Sequence, residues 1–257
     1  MSKHFDHIAN AYDADFTHTH IGMAQRNQVW KQLLPIEKKA TCLEVNCGTG
    51  EDAKKLCELG LQVEATDVSP EMVSVTTAKI EPLGGKARVL DLTQLKEDDL
   101  NRIDLLFSNF GGLNCLSPND WDRLSMVLQN GLSNTARLSM VIMGRKCLWE
   151  RFYFSIKGKQ PWKRNSHEAV MANVEGISVA TWYYSPAEIY AYLKESFKLV
   201  KVRPIGLFVP PSYLEPFVKK RKSLFKILSF LDRVFANMGC LSNYADHFYI
   251  ELQKRKT

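Results

Sequence analysis

No apolar run in these 257 residues approaches the roughly 20 that a membrane-spanning helix requires. The opening residues, MSKHFDHIANAYD, hold no apolar stretch of the kind a secretory signal carries. Neither spanning nor export is therefore expected, and a cytoplasmic location is. Cysteine is sparse, and its six positions (Cys42, Cys47, Cys57, Cys115, Cys147 and Cys240) show neither the spacing of a metal site nor that of a disulfide framework. A chain of this length can bury a core without covalent staples, so the cysteines read as reduced, small apolar residues, and no metal site is expected. Internal repeats and low-complexity segments are also missing. One domain over 1–257 with insertions is the resulting expectation.

Charge of either sign is not extreme. The formal balance is +6, with 45% hydrophobic and 24% charged residues, as in an ordinary globular protein. The excess is local, in Lys157 to Arg164, in Lys219 to Lys222 and at Lys254 to Lys256. Solvated surface is the simplest reading of such runs. No dedicated nucleic-acid module accompanies them.

What is present is alternation. Ile21 to Leu34 has apolar residues at helical spacing and stops before Pro35. Cys42 to Val45, Gln62 to Thr66, Ala87 to Leu90, Ile103 to Ser108 and Ala136 to Met143 read as buried strands. Glu51 to Leu59, Pro70 to Lys79 and Pro118 to Leu128 read as the helices between them. Ser69-Pro70-Glu71 is a helix entry, with a serine cap, a first-turn proline and an acid beside it. Strands alternating with helices at this spacing predict an α/β fold with a parallel sheet covered on both faces. After Arg145 the order lapses. Cys147 to Ile156 reads as helix, Val179 to Tyr184 as strand, Ser185 to Leu193 as a capped helix, Phe197 to Val209 as strand, Phe217 to Met238 as a helix or helix pair, and His247 to Leu252 as a final strand.

The chemistry sits in Leu43 to Ala53, LEVNCGTGEDA, and in Val63 to Asp67. A strand, a glycine turn and a helix start, followed by a second strand ending in a carboxylate, form half of a nucleotide-binding unit. Gly48 and Gly50 let the backbone turn tightly and approach a ligand that a Cβ would hold away. Asp67 is placed to accept from two adjacent ribose hydroxyls. An adenosine-containing ligand follows, and the glycines alone leave NAD open. Asp91, at the end of the third strand, can accept from an adenine amine. Glu44, just before the turn, suits a cationic amine and would repel a pyrophosphate.

Taken together, LEVNCGTGEDA, ATDVSPEMV, RVLDL and IDLLFSNFGGLN resemble, in order and spacing, the four motifs of class I S-adenosylmethionine-dependent methyltransferases of the small-molecule type. The resemblance runs to about Met143. It implies a doubly wound, mostly parallel seven-stranded sheet whose last strand is antiparallel, with helical and hairpin insertions forming a substrate cap. The divisions implied are a helical lead-in or lid over 1–40, a cofactor-binding core over 41–144, and substrate-side insertions at 145–184 and 210–243. It implies S-adenosyl-L-methionine as methyl donor and S-adenosyl-L-homocysteine as product. Glu44, Asn46, Gly48 and Gly50 would hold the methionine moiety and its turn, and Asp67 the ribose. Val68 and Met72 would lie beside the adenine, with Asp91 on its amine and Leu92 alongside. Ser108, Asn109 and Phe110 would line the end of the fourth strand, and Tyr12 and Arg26 would cover the carboxylate. The family usually has glycine where this chain has Asn46, and asparagine is among the best substitutes at positive φ.

Methyl transfer is an in-line displacement, so alignment and water exclusion carry most of the catalysis and no catalytic residue stands out. His18, His20 and Tyr12 are candidates for a base, each with a surface or hydrogen-bonding role as the competing reading. His167 and His247 are weaker. The insertions are rich in aromatic residues, including Trp149, Tyr153, Trp162, Tyr183 and Tyr213, which suits a hydrophobic or planar small acceptor. The basic, amphipathic Phe217 to Met238 reads as a lid, a dimer contact or a membrane-surface helix. The assembly expected is a monomer or homodimer. Competing functions are an RNA or protein methyltransferase, a non-catalytic S-adenosylmethionine-binding protein and an NAD-dependent oxidoreductase.

Overall fold

A computed structural model describes residues 17–33, 35–158, 163–174 and 177–256. Helix α1, His20–Leu33, leads into strand β1, Thr41–Val45. Next come α2 (Glu51–Glu58), β2 (Gln62–Asp67), α3 (Pro70–Ile80), β3 (Lys86–Val89), β4 (Leu105–Ser108), α4 (Pro118–Gly131) and β5 (Arg137–Met143). The later elements are α5 (Leu148–Ile156), β6 (Val170–Val174), β7 (Ile177–Thr181), α6 (Pro186–Leu193), β8 (Phe197–Ile205), α7 (Glu215–Lys220), α8 (Lys222–Phe235) and β9 (His247–Lys254).

Seven strands form one sheet in the order β3-β2-β1-β4-β5-β9-β8. The first five run parallel, and β9 lies antiparallel between β5 and β8. The alternating apolar pattern divides cleanly between its faces. Leu43, Leu106, Leu138, Met140 and Ile250 point to a core closed by Trp121, Leu124 and Leu128 of α4 and Ile189 and Leu193 of α6. Cys42, Leu105, Phe107, Val141 and Tyr249 point the other way, against Val29 and Leu33 of α1 and Ala53 and Leu56 of α2. A third cluster joins Ile21 of α1 to Val209, Leu214 and Val218, with Trp149, Tyr153 and Phe225 packed on it. The doubly wound fold expected from the alternation is the one observed.

Two expectations need correcting, and one that was left open is decided. The strand expected over Val179 to Tyr184 is instead β7, Ile177–Thr181, paired antiparallel with β6 in a separate two-stranded sheet, while Tyr184 forms only an isolated bridge with Gly144. β8 ends at Ile205 rather than Val209, because Gly206 turns the chain at φ 67°. Phe217 to Met238, expected as a helix or a helix pair, is a pair, broken at Arg221 (φ −131°, ψ 50°), where no glycine or proline marks a break.

α8 is held from inside by a carboxylate. Asp232 accepts the backbone N–H groups of Phe208 (2.7 Å) and Val209 (3.2 Å), which follow the Gly206 turn. Burial pushes its carboxyl up to about 6, against the pull of those hydrogen bonds. A folded-state pKa above the ordinary 3.8 means that the native chain holds this proton more tightly than the unfolded one. Its contribution to stability is then fullest below about pH 4 and is lost as pH rises through about 6. Urea denaturation across this window should show Asp232→Asn flattening the fall in stability by about 2 to 3 kcal/mol relative to the parent.

Candidate functional site

β1 lies between β2 and β4, and the chain winds outward from it in both directions. The crevice beyond the carboxyl ends of β1 and β4 is therefore the switch point where such sheets bind ligands. The LEVNCGTGEDA turn opens into it. Asn46 sits at φ 57°, Gly48 at 55° and Gly50 at 77°. Cys47 donates its N–H to the Thr66 carbonyl, which ties the turn to β2. A Cβ at Gly50 would stand 2.6 Å from Thr76 Cγ2 of α3, so that glycine is demanded by packing. A Cβ at Gly48 would meet nothing within 4 Å; there the backbone faces open space.

Asn46 takes the positive φ expected of it. Its side chain lies over Gly112, where an added Cβ would come within 2.4 Å of Asn46 Cβ. The glycine pair after β4 thus makes room for the side chain that replaces glycine after β1. Phe110 at φ 49° and Gly111 at φ 76° bend β4's exit into the same crevice.

Carboxylates gather here. Asp67 accepts the Gly48 N–H on Oδ2 (2.9 Å) and the Ser69 N–H on Oδ1 (3.0 Å), clamping the glycine turn to the end of β2; burial nevertheless pushes its carboxyl up. Glu44 is 1% exposed, and its Oε2 has no hydrogen-bond partner among the described residues. Burial first, and then the nearby Asp52, push the Glu44 carboxyl well above its ordinary range; Arg26 acts in the opposite direction. Asp52, in the first turn of α2, is the hub. It accepts from Arg26 Nη1 (2.8 Å), Trp30 Nε1 (2.7 Å) and Asn109 Nδ2 (3.0 Å), and Arg26 also lies 5.2 Å above the Phe110 ring. Ser108 Oγ, Asn109 Oδ1 and Asn46 Nδ2 are buried without partners among the described residues. Buried polar atoms left unpaired are costly. Their collection around an anionic, open turn fits a polar ligand that carries a cationic donor.

At the end of β3, Asp91 accepts from Thr93 N–H (2.9 Å) and Thr93 Oγ1 (2.8 Å) through one oxygen. Leu92 and Met72 are buried and Val68 is half-buried. Tyr12 lies outside the described residues. His18 is exposed, and His20 meets Glu215 Oε1 through Nδ1 at 2.8 Å, while Glu215 also accepts the His20 and Ile21 N–H groups at the start of α1. That is a helix-capping arrangement between α7 and α1.

A second polar cluster adjoins the crevice where β9 begins. The edge of the Phe110 ring meets His247 at 5.4 Å, and His247 Nδ1 stands 3.2 Å from Asp246 Oδ2. Arg164 reaches Asp246 Oδ1 (2.8 Å) and Glu150 (2.7 Å) and lies 4.9 Å over the Tyr183 ring. Burial opposes the Asp246 charge, but His247 and Arg164 beside it hold its carboxyl well below the usual range. Arg164 corrects the reading of Lys157 to Arg164 as solvated surface: its guanidinium is buried because two carboxylates receive it. Asp52 and Arg164 escaped sequence reading. An acid in a helix's first turn and an arginine in a basic run both have ordinary local explanations.

Residues 42–132 match the family model described as a methyltransferase domain. In fold the chain is similar to DhpI in its complex with SAH, at TM-score 0.63 and 14% identity, covering 99% of this chain and 95% of that one. It is also similar to a TehB-like SAM-dependent methyltransferase from Corynebacterium glutamicum (TM-score 0.55, 13% identity, 99% and 98% covered). A SAM-dependent methyltransferase from Methanosarcina mazei is a third such structure (0.57, 17%, 86% and 95%). No curated protein matches the sequence. The likeness to class I S-adenosylmethionine-dependent methyltransferases thus holds in sequence over 42–132 and in fold over almost the whole chain.

The contact between the two turns has a direct test. Gly112→Ala should destabilise the protein by about 1–3 kcal/mol through overpacking against Asn46. Asn46→Gly in the same chain should recover most of that loss, so a double-mutant cycle by urea denaturation should return a coupling of about 1 kcal/mol or more.

Proposed function

We propose that this chain, with its methyltransferase domain over 42–132, uses S-adenosyl-L-methionine to methylate a small-molecule acceptor and releases S-adenosyl-L-homocysteine. The observation that carries the reading is the buried Glu44 Oε2, without a hydrogen-bond partner among the described residues, on the strand that leads into the open Gly48 turn. A cationic amino group satisfies it, whereas the pyrophosphate of NAD meets repulsion from Glu44, Asp52 and Asp67 together. Asp67 is the residue for the ribose hydroxyls, and Asp91 keeps an oxygen for the adenine amine. Asn109 and Phe110 line the path between cofactor and acceptor, with Arg26 folded over Phe110. When bound, the cofactor supplies a methyl group on a positively charged sulfur.

The chain's own contribution is alignment and water exclusion. Phe110 and His247 form the wall where the cofactor crevice meets the insertions, and Tyr183 lies beyond them over Arg164. Residues 145–184 and 210–243 act as the acceptor-side cap, and their aromatic rings favour a hydrophobic or planar molecule.

Isothermal titration should find S-adenosyl-L-homocysteine bound and NAD not bound. Affinity should fall as pH drops through the raised Glu44 pKa, because the protonated carboxyl no longer pairs with an ammonium. Glu44→Gln should weaken binding by about 10- to 100-fold and abolish that pH dependence. Failure to bind either S-adenosyl compound, with circular dichroism showing a folded chain, would sink the proposal.

A further inference from the structure

α8 carries two unlike faces. Inward, Phe225 packs on the cluster of Ile21, Val209 and Val218, and Asp232 holds the Phe208 and Val209 N–H groups. Outward, Leu224 (40% exposed), Ile227 (58%), Phe230 (55%) and Val234 (56%) recur at helical spacing and form an open apolar stripe. Singly exposed apolar residues need no explanation, but a continuous stripe of them does.

The charges around the stripe are sorted. Lys219, Lys220, Arg221, Lys222, Lys226 and Arg233 are all exposed, and none forms an ion pair among the described residues. The two acids of the segment, Glu215 and Asp232, are both turned inward and bonded to backbone N–H groups. The outer surface therefore presents only positive charge beside the apolar stripe. On a helical projection Lys222, Lys226 and Arg233 fall along one edge of it. That edge borders a groove of about 940 Å³ between α1, β8 and α8, lined by Lys226, Arg233 and Arg203 and also by Asp232, whose carboxylate is engaged by the Phe208 and Val209 N–H groups. Arg203 Nε and Ser229 Oγ lining it are buried without partners among the described residues.

We propose that α8 docks this chain on an anionic lipid surface, its apolar stripe entering the acyl boundary while the cationic edge and groove receive headgroup phosphates. An interfacial helix combines these same elements, a large apolar face and a lysine- and arginine-rich flank. A second copy of the chain fits poorly, because a two-fold contact through α8 would bring the same unpaired cations together. The proposal does not depend on methyl transfer, since lipid retention is read without turnover.

Flotation with phosphatidylcholine vesicles, with and without phosphatidylglycerol, tests it on the full chain. Retention should require phosphatidylglycerol and weaken in high salt. Ile227→Asp with Phe230→Asp should abolish it, and Lys222→Ala, Lys226→Ala or Arg233→Ala should each lower partitioning about fivefold. These positions are exposed, so an unchanged circular dichroism spectrum is expected, and thermal unfolding confirms that loss of retention is not loss of fold. Equal or absent retention on both vesicle types overturns the proposal. So does retention that survives the double aspartate change, which would leave a purely electrostatic contact. Free inorganic phosphate competing away all retention would assign the groove to a soluble anion, and a dimer dissociated by the aspartate changes would assign the stripe to a second copy; either result also overturns it.

Discussion

Among the described residues, one guanidinium stands against three buried carboxylates at the carboxyl end of β1. Glu44, Asp52 and Asp67 converge there, with Arg26 as the opposing charge on Glu44. Asp52 accepts from Arg26 together with Trp30 and Asn109, and Asp67 accepts the backbone N–H groups of the glycine turn and the α3 entry. Glu44 Oε2 has no hydrogen-bond partner among the described residues. Burial raises the energy of its charged form, and a cation beside it would lower it. The same carboxylates that hold α1, α2, β2 and β4 together thus also set the charge the crevice accepts.

This arrangement couples the frame to the crevice through hydrogen bonds and ion pairs. α1 reaches the crevice through Arg26 and Trp30, which grip the first turn of α2. At its N-terminus it is capped by Glu215 of α7, and in its middle Gln28 bonds the Pro204 carbonyl beside the Gly206 turn. The helix preceding the sheet therefore links the cofactor side to the C-terminal helices. The Asp246 and Arg164 pair does the same on the other flank, tying the start of β9 to the insertion after β5. Phe110 sits between the two systems, under Arg26 and against His247.

The glycine turn and the strand ends around it were largely legible because they are local. Each of Glu44, Gly48, Gly50 and Asp67 lies within a few residues of a strand end, and strand ends follow from apolar alternation and turn chemistry. Asn46 was legible as a positive-φ position, yet its seat on Gly112 was not, since the two lie in turns that follow different strands. The flank formed by the start of β9 and the insertion after β5 resisted reading for the same reason carried further. Arg164 appears in sequence as one cation among several, and only the approach of Glu150 and Asp246 makes it a buried ion pair. The β6 strand, Val170–Val174, was missed although four of its five residues are apolar, because they form no alternating pattern and the strand exists through its pairing with β7. The break at Arg221 has no local marker either.

By itself the sequence determined the order of strands and helices as far as β5, the glycine turn, the acids at the tips of β1, β2 and β3, and the amphipathic character of the segment after Pro210. Each follows from neighbours in the chain, through backbone sterics and the periods of helix and strand. Tertiary structure alone decided which charges would be left without partners. Whether Glu44 keeps an oxygen without a partner, whether Arg164 is buried, and whether the cations of α8 lack ion pairs, as they do among the described residues, depend on residues up to hundreds of positions away. Electrostatic pairing acts through space at a few ångströms, and only the folded sheet and its helices set those distances.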